Sequence, residues 1–164
     1  MDIYIQKNIK RVNKMWKEKL EEVKKVLNEF NRDFDAPATE KEIQLFTDEV
    51  KKKFGFDLPE EYIDFLKVMN GYEFNGFVIY GVDERLLEKK PDEHINGFIE
   101  LSEILYEVED PKQYIFIGED NISLYVYDLV RKKYIIIDNP GGGEMEYFDR
   151  FDEIITKLLT DSIL

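Results

Sequence analysis

Four groups of residues have types that could do chemistry. Glu119 and Asp120 are adjacent carboxylates, as general acid–base catalysis uses, but they fall in a turn pattern, Gly118-Glu119-Asp120-Asn121, with no pocket legible around them. His94, the single histidine, lies in a polar stretch beside Asp92 and Glu93, and no Gly-x-Ser-x-Gly elbow offers it a nucleophile. Glu103, Glu107, Glu109 and Asp110 are hard-cation ligand types without the spacing of an EF-hand loop, so a solvated face is expected. Gly141-Gly142-Gly143 has the composition of a phosphate cradle but lacks the following Lys-Ser/Thr, so it reads as a turn between strands. With no cysteine, disulfides, thiolate metal sites and a cysteine nucleophile are excluded. The expectation is a protein without catalysis, metal or cofactor.

Recognition is the remaining chemistry. The turn acids and aromatics Glu119, Asp120, Tyr125, Asp138 and Asn139 are the candidate contacts, with Tyr72 and Glu73 beyond the central helix. Strand side chains alternate, so Tyr125 and Tyr127 face one side, and one face of that strand must be core. The net charge of −13 argues against nucleic acid, whose phosphates are gripped by Lys and Arg, and favours a basic protein partner. Residues 1–30 carry eight Lys/Arg against five Asp/Glu, a net of +3 that leaves −16 on the rest.

The elements that must position these residues follow from periodicity and punctuation. Ile5, Ile9, Val12, Trp16, Leu20, Val23, Leu27 and Phe30 recur at three and four, predicting a long amphipathic helix. Its stripe has three resting places: the body, a second copy by self-association, or a membrane surface. Glu18, Glu21, Glu22 and Glu29 interrupt the basic face that anionic lipid requires, so the membrane is least suited. Asn31 to Ala38 is a linker. Thr39 with Glu42 forms a capping box, Ile43, Phe46, Val50 and Phe54 give the next helix its apolar face, and Gly55 stops it. Pro59 opens the central helix, whose stripe is Tyr62, Phe65, Leu66 and Met69. Glu61, Asp64 and Lys67 are left to water, and Asn70-Gly71 ends the helix.

Asn75-Gly76 between Phe74 and Phe77 predicts a tight hairpin, because both central positions of that turn take positive φ. Val82 to Asn96 reads as an exposed loop, Phe98 to Leu101 as a short strand and Ser102 to Glu107 as a short helix. Strands are predicted at Gln113 to Ile117, Ser123 to Leu129, Lys133 to Asp138 and Met145 to Phe148. Phe151, Ile154, Ile155, Leu158 and Leu159 mark a closing helix. Helices at both ends around consecutive strands define an α+β class, with a mostly antiparallel central sheet flanked by N-terminal helices and a C-terminal helix. At 164 residues one domain is expected, with 1–38 as a helical extension plus linker.

The order amphipathic helix, Gly55-Phe56-Asp57-Leu58-Pro59-Glu60-Glu61-Tyr62, Phe65-Leu66, Asn70-Gly71, and a strand from Phe77 to Tyr80 closed by Gly81 resembles the SUKH superfamily. The resemblance runs from about Thr39 to the C-terminus, including the turn at Gly118 to Asn121. It implies the same α+β arrangement, a motif that serves as scaffold, and one of two functions. The first is a bacterial immunity protein that occludes a cognate toxin domain, basic and nuclease-like, in the cytoplasm. The second is an intracellular scaffold akin to the family's cell-wall regulators, which carry long disordered extensions that this chain does not show. No apolar run approaches the ~20 residues needed to cross a bilayer, and no signal peptide is legible at Met1 to Lys7.

Overall fold

The computed structural model describes residue 3, residues 15–108 and residues 113–164. The expected apolar positions Ile5, Ile9 and Val12 and the acids Glu109 and Asp110 lie outside the described residues. Among those described, the order is α1 (Met15–Glu29), α2 (Glu40–Phe54), α3 (Glu60–Leu66), β1 (Tyr72–Phe74), β2 (Phe77–Ile79), a 3-10 turn (Glu84–Leu86), α4 (Phe98–Leu105), β3 (Tyr114–Glu119), β4 (Ser123–Asp128), β5 (Lys133–Asp138), β6 (Glu144–Phe148) and α5 (Phe151–Ser162). The six strands form one antiparallel sheet in chain order, the α+β class that the sequence predicts.

Local chemistry sets several boundaries as expected. Thr39 Oγ1 accepts from the Glu42 N–H at 3.1 Å while Glu42 Oε1 accepts from the Thr39 N–H at 2.8 Å, which satisfies two orphan donors at the start of α2. Gly55 ends that helix at φ +80°. Asn75 and Gly76 sit at φ +52° and +83°, giving the hairpin that pairs Phe74 with Phe77.

Three expectations are corrected. α3 stops at Leu66 rather than at Asn70-Gly71. Asn70 is buried and its side-chain amide accepts from the Val82 N–H at 2.7 Å and donates to the Val82 carbonyl at 3.2 Å, so it ties α3 to the segment after β2 rather than capping the helix. Phe98 to Leu101 is helix, not strand. Asp83 accepts from the Ile99 and Glu100 N–H groups at 3.0 Å each and caps α4 from 15 residues upstream. Gly97 makes room for it, since a β-carbon there would stand 2.2 Å from Asp83 Oδ1. The stretch from Val82 is therefore not all exposed loop; Val82, Asp83 and Ile95 are buried.

The middle strands are covered on both faces, which overrides the alternation expected of β4. Leu124, Tyr125 and Val126 are successive and all buried, as are Ile115 to Ile117 and Ile135 to Ile137. On one face Tyr134 packs on Phe151 of α5 with ring centroids 5.9 Å apart; on the other Phe116 meets Tyr106 at 5.3 Å. Tyr62, Phe65, Leu66 and Met69 enter the core as expected, but Glu61 is only half-exposed and accepts from the Phe151 N–H at 3.0 Å. The described part of the first helix rests on the body: Trp16, Val23 and Leu27 are buried, the Trp16 ring centroid lies 5.3 Å from that of Phe65, and the Trp16 backbone N–H donates to Asp152 Oδ1 at 3.0 Å. Trp16, Val23 and Leu27 are thus spent within the chain while Phe30 stays exposed, and each buried side chain of this kind contributes about 1.5–3 kcal/mol of apolar burial.

Candidate partner-binding site

In a sheet that runs in chain order, alternate turns share an end. The β1–β2, β3–β4 and β5–β6 turns therefore gather Asn75-Gly76, Asp120 to Ile122 and Asn139 to Gly143. Contacts join them: the Asn139 N–H donates to the Ile122 carbonyl at 2.8 Å, Asn75 Nδ2 donates to the Ser162 carbonyl at 3.3 Å at the end of α5, and Asn121 lies against Gly76. Five of the seven candidate residues, Glu119, Asp120, Tyr125, Asp138 and Asn139, belong to this end.

The two turn acids are held by phenols. Tyr80 donates to Glu119 Oε2 at 2.8 Å, and Tyr125 donates to Asp120 Oδ2 at 2.7 Å. Asp120 Oδ1 accepts from the Ile122 N–H at 2.9 Å, closing the turn. Burial pushes both phenols up, and the carboxylates that they face add to it, so both stay hydroxyl donors. Among the described residues Glu119, Asp120 and Asp138 take no part in an ion pair; Lys157, the cation in this region, pairs with Asp161 and Glu146. The motif helix supports the arrangement from below, since Tyr62 donates to the Tyr80 carbonyl and Tyr80 in turn holds Glu119.

Tyr125 and Tyr72 are buried, their hydroxyls spent on Asp120 and on Ser162 Oγ at 2.7 Å. Glu73 is exposed and turned elsewhere, accepting from Asn96 at 2.9 Å while its carbonyl accepts from Arg32 at 2.8 Å. Sequence reasoning passed over Ile122, which is 62% exposed at the centre of the turn end. The signal was an isoleucine inside a polar turn. His94 is exposed with Nδ1 3.1 Å from Glu84 Oε1, and Glu103 pairs with Lys53. Among the described residues no group of acids or histidines is arranged to hold a metal, and no helix is long and apolar enough to cross a membrane.

Fold and end face together define an α+β protein in which the helix that Pro59 opens is clamped to the sheet through Tyr62 and the Tyr80 carbonyl. Residues 37–158 match the model of the SMI1 / KNR4 family (SUKH-1), and the chain belongs to that family. Among curated proteins no match is found.

Proposed function

We propose that this chain is an immunity-type protein that binds and neutralises a cognate toxin domain in the cytoplasm, covering it sterically and holding it by charge. The observation that carries this reading is the turn end, where two carboxylates of an acidic protein, Glu119 and Asp120, are held by neutral donors with no cation on them, beside the exposed Ile122. An apolar centre within an acidic rim suits a basic protein such as a nuclease, whose surface is positive where it grips phosphates. Glu119, Asp120, Asp138 and Asn139 would make the contacts, with Glu73 at the margin; Tyr125 and Tyr72 would act from beneath by holding Asp120 and the end of α5. The packing of α1 on α5 supports one domain over 1–164, with 1–38 as helix and linker.

The test is binding to the toxin encoded beside this gene, by calorimetry and surface capture at low and high salt. Salt-weakened binding with loss of protection in a Glu119→Lys, Asp120→Lys variant is expected. Binding indifferent to salt and to the double reversal would remove the turn end from the interface.

A further inference from the structure

The linker between α1 and α2 faces the loop after the 3-10 turn across a cleft of about 550 Å³. Arg32 straps one side, donating to Glu93 Oε2 at 3.0 Å and to the Glu73 carbonyl at 2.8 Å. On the other side Glu42 Oε2 accepts from the Glu88 N–H at 2.9 Å. Phe34, Pro37, Leu87, Pro91 and Ile95 supply apolar wall.

Asp35 lies in this lining, half-buried, and makes no side-chain hydrogen bond or ion pair among the described residues. Burial pushes its carboxyl up to about 6, Glu93 and Glu73 add to the rise, and Arg32, already engaged, only partly opposes it. A partly desolvated carboxylate without a partner costs free energy. The cleft has room for a side chain and apolar walls for its stem; Asp33, Glu88 and Glu93 in its lining are paired with Lys24, Lys41 and Arg32, which among the described residues leaves Asp35 and Asp92 as the lining aspartates with no cation on them.

We propose that this cleft receives an arginine side chain of a protein partner, with the guanidinium on Asp35 and the stem along the apolar wall. Arginine suits it better than lysine because its head is planar and weakly hydrated, bonds a carboxylate through two N–H groups, and stacks on flat side chains. The cleft is built from segments outside the turn end, so this assignment stands or falls separately from the immunity reading.

The full chain is titrated with N-acetyl-arginine amide, and with its citrulline counterpart as a neutral isostere, while backbone amide shifts are followed by NMR. Saturable shifts confined to residues 33–39 and 87–95 are expected with arginine and absent with citrulline. Asp35→Asn should weaken the arginine response about tenfold or more, the scale of one charge-assisted hydrogen bond, without lowering the melting temperature. Shifts that do not saturate, an equal response to citrulline, or undiminished binding by Asp35→Asn would overturn the proposal.

Discussion

Strand β4 begins and ends beside an acid, and the two ends treat their acids in opposite ways. At its far end Asp128 is fully buried; Oδ1 accepts from the Val130 and Arg131 N–H groups at 2.8 and 3.0 Å, and Oδ2 accepts from Arg131 Nε at 2.8 Å. At its near end Asp120 uses one oxygen in the same way, closing a turn on the Ile122 N–H, but its other oxygen takes a tyrosine hydroxyl. Turn closure is therefore common to both. The difference lies in the second donor: a guanidinium cancels the charge of Asp128, and a phenol leaves that of Asp120 in place. Burial alone would raise the Asp128 carboxyl, and its Arg131 and Val130 donors outweigh burial and hold it below the ordinary value. One acid fastens the fold through a cation, and the other closes its turn with no cation on it.

The largest expected effect belongs to the core that both ends rest on. Leu66→Ala removes a fully buried side chain and should cost about 2–5 kcal/mol, whereas the exposed Lys67→Ala should stay within about 0.5 kcal/mol. Equal melting temperatures for the two would mean that α3 does not face the sheet as described.

Next in size is the fastening acid itself. Asp128→Ala removes the buried carboxylate that accepts from the Val130 and Arg131 N–H groups and from Arg131 Nε, and should destabilise by about 1–3 kcal/mol in urea unfolding. Asp120→Asn keeps an amide oxygen for the Ile122 N–H and turns an NH2 donor toward the Tyr125 hydroxyl oxygen, and should change stability far less. The pH dependence has a definite sign: a carboxyl held low contributes stability that is present above its ordinary value of 3.8 and lost as pH falls through the lower folded value. Acid unfolding of Asp128→Asn should lack that contribution; similar losses from the Asp128 and Asp120 variants would erase the distinction between the two ends.

Charge without hydrogen-bond loss gives the sharpest functional test. Glu119→Gln with Asp120→Asn leaves an acceptor for Tyr80, keeps the turn on the Ile122 N–H and gives Tyr125 an amide donor in place of the carboxylate, while removing two negative charges, so toxin association should slow severalfold at low salt with the fold intact, because rim charges act mainly through steering. An unchanged association rate would show that the retained charge has no use in binding. A chain truncated near Ala36 is a poorer probe, since it would uncover the surface that Trp16, Val23 and Leu27 bury.

The smallest effect concerns a third acid, Asp35, which has neither a guanidinium nor a phenol on it. Its carboxyl is raised from 3.8 to about 6, so the native state holds the proton that the unfolded chain has released, and stability falls as pH rises between about 4 and about 6. Asp35→Asn should flatten that slope in melts taken across this window and raise the melting temperature slightly near neutrality. An unaltered slope would place the titrating group elsewhere.

What the sequence determined by itself are the features whose partners lie within a few residues. The Thr39–Glu42 box, the Asn75-Gly76 turn, the stripe from Tyr62 to Met69 and the full extent of β5 (Lys133–Asp138) are all settled by hydrogen bonds or packing periods that a short window contains. Tertiary structure decided the features whose partners are distant. α4 starts where it does because Asp83 caps it, α3 ends early because Asn70 serves Val82, and Tyr125 is buried because β4 is covered from both sides. The candidate site belongs to the second kind. Each turn could be read from its residues, but the meander order placed three of them at one end, and only the tertiary contacts, Tyr80 with Glu119 across 39 positions and Arg131 with neither turn acid, decided which carboxylates have a phenol and which a guanidinium on them.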